Sequence, residues 1–103
     1  MLNEIGEPIK ISLAESAVED LEDILIYYTD QKIPHVGKRL VSQVLKDIES
    51  LKDQPDMGRI VPEFEQNKLR ELIRPPYRIV YLREPYKIKI VRVWRSERLL
   101  VLP

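Results

Sequence analysis

The fold is decided by residues 69–95, which read LRELIRPPYRIVYLREPYKIKIVRVWR. β-Branched and aromatic residues are frequent in this stretch, and apolar and charged residues alternate along it, as is typical of half-buried strands. Pro75-Pro76 and the turn around Pro85 interrupt the alternation. The turns between the segments are short and favour an antiparallel meander. The predicted strands cover residues 69–74, 77–83 and 87–95.

Two amphipathic helices are predicted upstream of these strands. Apolar residues recur with a helical period over residues 13–30 and again over residues 34–52. Ser12 and Glu15 have the spacing of a capping box at the start of the first helix. The remaining segments are a short strand over residues 8–12 and a loop over residues 53–67. The predicted class is α+β, in the order β-α-α-β-β-β, with a helical hairpin packed on one face of an antiparallel sheet.

Composition excludes several classes of protein. A chain of 103 residues favours a single domain over residues 1–103. The absence of cysteine excludes disulfides and thiolate metal sites, and we expect neither a metal nor a cofactor. No apolar run approaches the roughly 20 residues of a membrane span, and no signal-peptide pattern opens the chain. The expected location is the cytoplasm.

Charge is unevenly distributed along a chain whose formal net charge is zero. Residues 1–56 hold six Lys or Arg and twelve Asp or Glu, whereas residues 57–103 hold eleven and five. Eight of the eleven later cations are arginine, which binds phosphate and carboxylate bidentately. The segregation predicts a basic surface on the sheet that attracts nucleic acid or an acidic protein.

Three strings, in this order and spacing, resemble the RelE/ParE superfamily of type II toxin–antitoxin toxins. They are REL at residues 70–72, YRIVY at residues 77–81 and VRVWRSERLL at residues 91–100, and the segment PDMGR at residues 55–59 resembles the family's helix-to-sheet connection. The resemblance implies a growth-inhibiting toxin, associated with plasmid stabilisation, that a cognate antitoxin neutralises. It also implies either a homodimer or a toxin–antitoxin hetero-oligomer. Antitoxins of such systems carry a disordered, often acidic tail that folds on binding.

The superfamily contains two main activities, and the sequence favours one of them. RelE-like members cleave mRNA, typically in the ribosome, whereas ParE-like members poison DNA gyrase. If the protein is a ribonuclease, the resemblance assigns Arg70, Arg78 and Arg95 as catalytic residues that stabilise phosphate charge. However, Arg70 stands alone where RelE-like enzymes carry two lysines, no histidine follows His35, and the chain does not end in tyrosine. A general base would have to be one of four residues: Glu63, Glu71, Tyr77 or Tyr81. These departures favour the ParE-like, gyrase-directed alternative, and a degenerate non-toxic basic binding module is the third hypothesis.

Four further residues are candidates for binding the antitoxin or the target: Arg74, Arg92, Trp94 and Arg98. Two of them, Arg74 and Trp94, also have a plainer structural interpretation, as does Arg78. Strand arginines such as Arg78 commonly form ion pairs, Arg74 keeps a sheet face solvated, and large aromatics such as Trp94 usually pack in a core.

Overall fold

The computed structural model describes residues 9–64 and 66–96. The two helices lie between the first and second strands of the chain, as the sequence predicts. In chain order the elements are β1 (Lys10–Leu13), α1 (Glu15–Asp30), α2 (Pro34–Ser50), β2 (Arg59–Ile60), β3 (Leu69–Arg74), β4 (Tyr77–Arg83) and β5 (Lys87–Arg95). Neither helix is long and apolar enough to cross a lipid bilayer, a finding that covers the described ranges only.

The strands form one five-stranded sheet in the order β1-β5-β4-β3-β2. The pairs β2–β3, β3–β4 and β4–β5 are antiparallel, as the short turns predict. β1 pairs with β5 in parallel, so the sheet is mixed. The α+β class with two helices packed on the sheet is confirmed. The parallel edge arises because the whole helical hairpin separates β1 from the meander, and a connection of that length permits parallel pairing.

Two local predictions differ from the structure. The capping box does not form, because Ser12 lies in β1 opposite Lys89 and α1 begins at Glu15, with Ala14 at the N-cap position and no side-chain cap. The connection between α2 and β3, predicted as a loop, contains the two-residue strand β2. Tertiary pairing with the sheet has overridden the local helix signal at Ser12.

The helix-covered face of the sheet holds the main core. Buried side chains of both helices pack against alternate residues of β3, β4 and β5. Gly37 permits the close approach of α1 and α2, since a Cβ there would lie 3.0 Å from the Cβ of Tyr28. The principal members are Ala17, Leu21, Ile24, Val44, Ile48, Leu51, Leu72, Tyr77, Ile79, Tyr81, Ile88, Ile90 and Val93.

The opposite side of the sheet, here called the open face, has a smaller apolar cluster. Val61, Val80 and Trp94 are its buried members, and Phe64 packs against them. Simple alternation predicts Trp94 on the same face as Ile88 and Ile90, but that prediction is wrong. β5 contains one extra residue at Val91, between the pairs Val80–Arg92 and Tyr81–Ile90. A β-bulge of this kind reverses the facing of later residues, so Val93 joins the helix-covered core and Trp94 the open face.

Candidate functional site

Arg78, the arginine that the resemblance places against phosphate, lies in a buried cluster of charges on the open face. Its Nε donates to Glu71 Oε1 at 2.8 Å, and its Nη2 donates to the same oxygen. Nη1 and Nη2 each donate to a carboxylate oxygen of Glu63 at 3.3 Å. Arg59 donates from Nε to the other oxygen of Glu71 at 2.6 Å. Two carboxylates and two guanidinium groups therefore share one site.

Charge compensation within the cluster offsets the burial of the Arg78 guanidinium. The side chains of Arg78 and Glu71 are 6% and 0% exposed, whereas that of Glu63 is 28% exposed. Burial lowers the pKa of the Arg78 guanidinium, but its hydrogen bonds and charge interactions with Glu63 and Glu71 outweigh this effect and raise the pKa above its usual value. Protein carboxylates therefore already accept hydrogen bonds from the Arg78 guanidinium and shield it from solvent. This arrangement disfavours the binding of a phosphate to Arg78.

The connection between α2 and β3 (residues 51–68) wraps around the β3 side of the sheet and is fixed by Tyr81. The Tyr81 hydroxyl donates to the carbonyl of Pro55 at 2.9 Å and accepts from the N–H of Gly58 at 2.9 Å. A Cβ at position 58 would lie 2.6 Å from that hydroxyl and 2.7 Å from the carbonyl oxygen of Glu71. Only glycine fits this close approach without displacing the backbone.

The three candidate catalytic arginines do not converge on one face. Arg70 alternates with Leu72 on the helix-covered face and donates from Nη1 to the carbonyl of Gly58 at 3.1 Å. Arg95 is exposed at the end of β5, opposite Tyr77. Arg78 points to the open face with Glu71 and Glu63. Arg70 and Arg95 therefore lie on the other side of the sheet from the Arg78 cluster.

The candidate binding arginines form ion pairs with the acidic first half of the chain. The Arg92 guanidinium makes two 2.8 Å hydrogen bonds to Asp20 of α1 and stacks over the Trp94 ring at 4.4 Å. Arg74 lies 3.6 Å from Asp47 of α2. Arg98 falls outside the described residues. The charge segregation seen along the sequence is thus partly compensated in three dimensions, because Arg92 and Arg74 of the predicted basic surface are paired with carboxylates of the helices.

A groove of about 460 Å³ lies beside these pairs, between α1 and the end of β5. Trp94 is nine-tenths buried there, and its indole Nε1 has no hydrogen-bond partner among the described residues. The lining of the groove combines aromatic rings with one cation, Arg95, and two carboxylates, Asp20 and Asp23. Its lining residues include Asp23, Ile24, Tyr27, Tyr28, Tyr77 and Val93. No cluster of His, Cys, Asp and Glu suited to a metal ion occurs within residues 9–64 and 66–96.

Comparison with known families decides the classification. The family model described as the ParE toxin of the type II toxin–antitoxin system parDE matches residues 11–100. The chain belongs to the ParE toxin family. A sequence search of curated proteins gave no match.

Solved structures share the fold of this ParE-family chain. A chain of the chromosomal ParDE toxin–antitoxin system from P. aeruginosa superposes with a TM-score of 0.71 at 22% identity, covering 86% of this chain and 97% of that one. The RelBE2 toxin–antitoxin complex from Mycobacterium tuberculosis gives 0.61 at 22% identity, over 86% and 99%. A conserved hypothetical protein from Helicobacter pylori gives 0.59 at 18% identity, over 89% and 99%. Such identities establish a common fold alone, and the fold is shared by ParDE and RelBE systems.

Sequence reasoning missed the carboxylates that occupy Arg78, although the pattern contains a signal for one of them. Ile73 lies opposite Arg78 and Glu71 opposite Val80, so Glu71 and Arg78 are diagonal neighbours on one face. Strict alternation on β3 and β4 is sufficient to predict this pair. Glu63 gives no comparable signal, because its position depends on how the connection folds over the open face.

Proposed function

We propose that this ParE-family protein is a toxin that acts in the cytoplasm as a single domain, is neutralised by a cognate antitoxin, and is directed at DNA gyrase without cleaving RNA. The family match over residues 11–100 supports the toxin assignment. The choice between the two targets rests on the state of Arg78.

The main support for the proposal is that the Arg78 guanidinium is already bound by protein carboxylates. A ribonuclease of this superfamily needs a cation available to the scissile phosphate, since that cation stabilises the charge of the transition state. Here Glu71 and Glu63 already accept hydrogen bonds from Arg78, and Arg78 is 5% exposed. Presenting Arg78 to a phosphate would leave the fully buried Glu71 carboxylate undercompensated, which is costly.

The groups needed for proton transfer give further support. Metal-free RNA cleavage requires a base for the 2′-hydroxyl and an acid for the leaving oxygen. The only histidine in the sequence is His35, and it lies in the first turn of α2, away from the sheet. Tyr81 is engaged with Pro55 and Gly58, and burial raises the pKa of its phenol further from neutrality. These features disfavour a general acid–base pair beside Arg78.

The groove between α1 and β5 is the surface that we propose for the antitoxin. It offers aromatic side chains and the exposed cation Arg95, and the Asp20 carboxylate in its lining is already paired with Arg92. Apolar side chains of an acidic segment would pack against Tyr27 and Tyr28 while its carboxylates approach Arg95. In this proposal Arg92 and Trp94 shape the groove wall through their stacking.

The proposal is tested by inducing the full chain in a bacterial host and recording growth, mRNA integrity and a DNA-damage reporter together. We expect growth arrest, induction of the reporter and intact mRNA. The purified chain is expected to inhibit supercoiling by purified gyrase. Co-expression of the reading frame next to the toxin gene should restore growth if that frame encodes the antitoxin.

Arg95→Ala is the matched variant for the ribonuclease alternative, because Arg95 is exposed and its removal leaves the core unchanged. Cleaved mRNA in the wild type, lost in Arg95→Ala, would overturn the gyrase assignment. No growth arrest together with normal supercoiling would favour the degenerate binding module.

A further inference from the structure

The outer surface of the helical hairpin, on the side away from the sheet, exposes apolar residues that the proposed function does not use. Val18 on α1 and Leu45 on α2 are 42% and 44% exposed. Leu25 and Val41 are half-buried between them, and a groove of about 420 Å³ runs along Leu25, Val41 and Leu45. These four residues, here called the hairpin stripe, form a contiguous strip of the kind that marks an interaction surface.

The two helices beside the stripe carry opposite charge. Helix α1 contains six Asp or Glu residues and no Lys or Arg, whereas α2 contains three basic residues and two acidic ones. Glu22 lies between Val18 and Leu25 on the α1 surface, at spacings of four and three residues. Two basic residues, Lys38 and Lys46, and one acidic residue, Glu49, line the groove on the α2 side. The stripe is therefore bordered by negative charge on the α1 side and by a net positive charge on the α2 side.

We propose that a second copy of this chain docks on the hairpin stripe and forms a twofold-symmetric homodimer. A twofold axis parallel to the helices sets α1 of one copy against α2 of the other, in antiparallel orientation. The helices match in length, with 16 and 17 residues. The apolar strips then meet, and the acidic border of each copy faces the basic border of its partner.

Charge complementarity selects a second copy as the occupant. A surface with an acidic half and a basic half is complementary to itself after a twofold rotation, which is the requirement for an isologous interface. A strongly acidic or strongly basic partner helix would satisfy one border and be repelled by the other. The dimer leaves both the Arg78 cluster and the groove between α1 and β5 uncovered. The dimer proposal is therefore independent of the proposed function.

The experiment measures the mass of the purified full chain by light scattering over a series of concentrations. We expect a mass approaching twice the 12.2 kDa of one chain as concentration rises. Leu45→Glu places an unpaired carboxylate in the apolar contact, and we expect it to raise the dimer dissociation constant by about 100-fold.

A charge exchange keeps the test independent of any folding defect in Leu45→Glu. Glu22→Lys alone and Lys46→Glu alone should each raise the dissociation constant by about tenfold, because each places like charges in opposition. The double variant should return it to within about threefold of the wild type, since the pair is restored with reversed sign. Ile60→Glu is the matched control, because Ile60 is 39% exposed on the distant strand β2 and should leave the dimer unchanged.

Each alternative outcome overturns the proposal. A wild type that keeps the mass of one chain at every concentration shows that no second copy docks on the stripe. A dimer that survives Leu45→Glu, or that Ile60→Glu disrupts equally, places the interface elsewhere. Failure of the double variant to recover shows that the two borders do not face each other.

Discussion

The two faces of the sheet are covered in different ways. On one face two helices bury a continuous apolar core, and one well-defined ion pair, Arg92 with Asp20, joins α1 to β5 at its margin. On the open face the described residues form a core of three buried apolar side chains. The chain between β2 and β3 is held there by Val61 and Phe64 of that core together with the charges around Arg78.

This difference has a consequence for stability and for function. Apolar packing is spread over many contacts, so the helix-covered face tolerates the loss of one polar pair. On the open face the connection between β2 and β3 depends on a few buried charges. Removal of one partner there leaves an uncompensated ion. The strand residue that resembles a phosphate ligand therefore has a structural role in this chain. The predictions below test that contrast.

The largest effect is expected for Glu71→Ala. Removing this fully buried carboxylate takes the buried ion-pair partner from Arg78 and breaks the ion pair with Arg59, so the free energy of unfolding should fall by about 3–5 kcal/mol. Urea denaturation followed by circular dichroism measures the change. Glu63→Ala is the control on the exposed side of the same guanidinium and should cost about 1 kcal/mol. Equal costs for the two variants would show that burial of Glu71 is not what stabilises the open face.

Tyr81→Phe is expected to have an intermediate effect. It leaves the Gly58 N–H and the Pro55 carbonyl without their buried partner, at a cost of about 1–3 kcal/mol. Burial raises the pKa of Tyr81 above 10.0, so the folded state holds the phenol proton more strongly than the unfolded state. The resulting stability is complete below pH 10 and is lost as pH rises through the raised pKa.

Comparing the two proteins across pH isolates the contribution of Tyr81 to the unfolding free energy from that of the other ionisable groups. The difference in unfolding free energy between wild type and Tyr81→Phe should shrink as pH rises above 10. Denaturation midpoints measured on both proteins across that range provide the comparison. A difference that stays constant or grows at high pH would contradict the role given to Tyr81.

The smallest effect is expected for Arg92→Ala, at the margin where α1 meets β5. Arg92 is 36% exposed, and Asp20 keeps its 2.8 Å hydrogen bond from the Val93 N–H after the substitution, so the loss should be about 1 kcal/mol. Thermal and urea unfolding measure it. Glu49→Gln, in the exposed pair with Lys52, gives the baseline for a surface ion pair, at about 0–0.5 kcal/mol. A loss for Arg92→Ala as large as that for Glu71→Ala would remove the contrast between the two faces.

The sequence by itself determined the element order and most element bounds. Local signals suffice there, because the period of apolar residues distinguishes α1 and α2 from the strands and Pro75-Pro76 marks a turn. The strands at residues 69–74, 77–83 and 87–95 agree with the prediction. Family membership followed from strings in the same region.

Only the tertiary structure decided which residues meet. The bulge at Val91 moves Trp94 to the open face, the parallel β1–β5 pair uses Ser12 in a strand, and Glu63 reaches Arg78 from a connection with no regular period. The family resemblance of the sequence implies that Arg78 binds phosphate. In the structure Arg78 instead forms ion pairs with carboxylates that fix the open face. The physical reason is that a strand pattern fixes the direction of a side chain, whereas its partners depend on packing between segments distant in the chain.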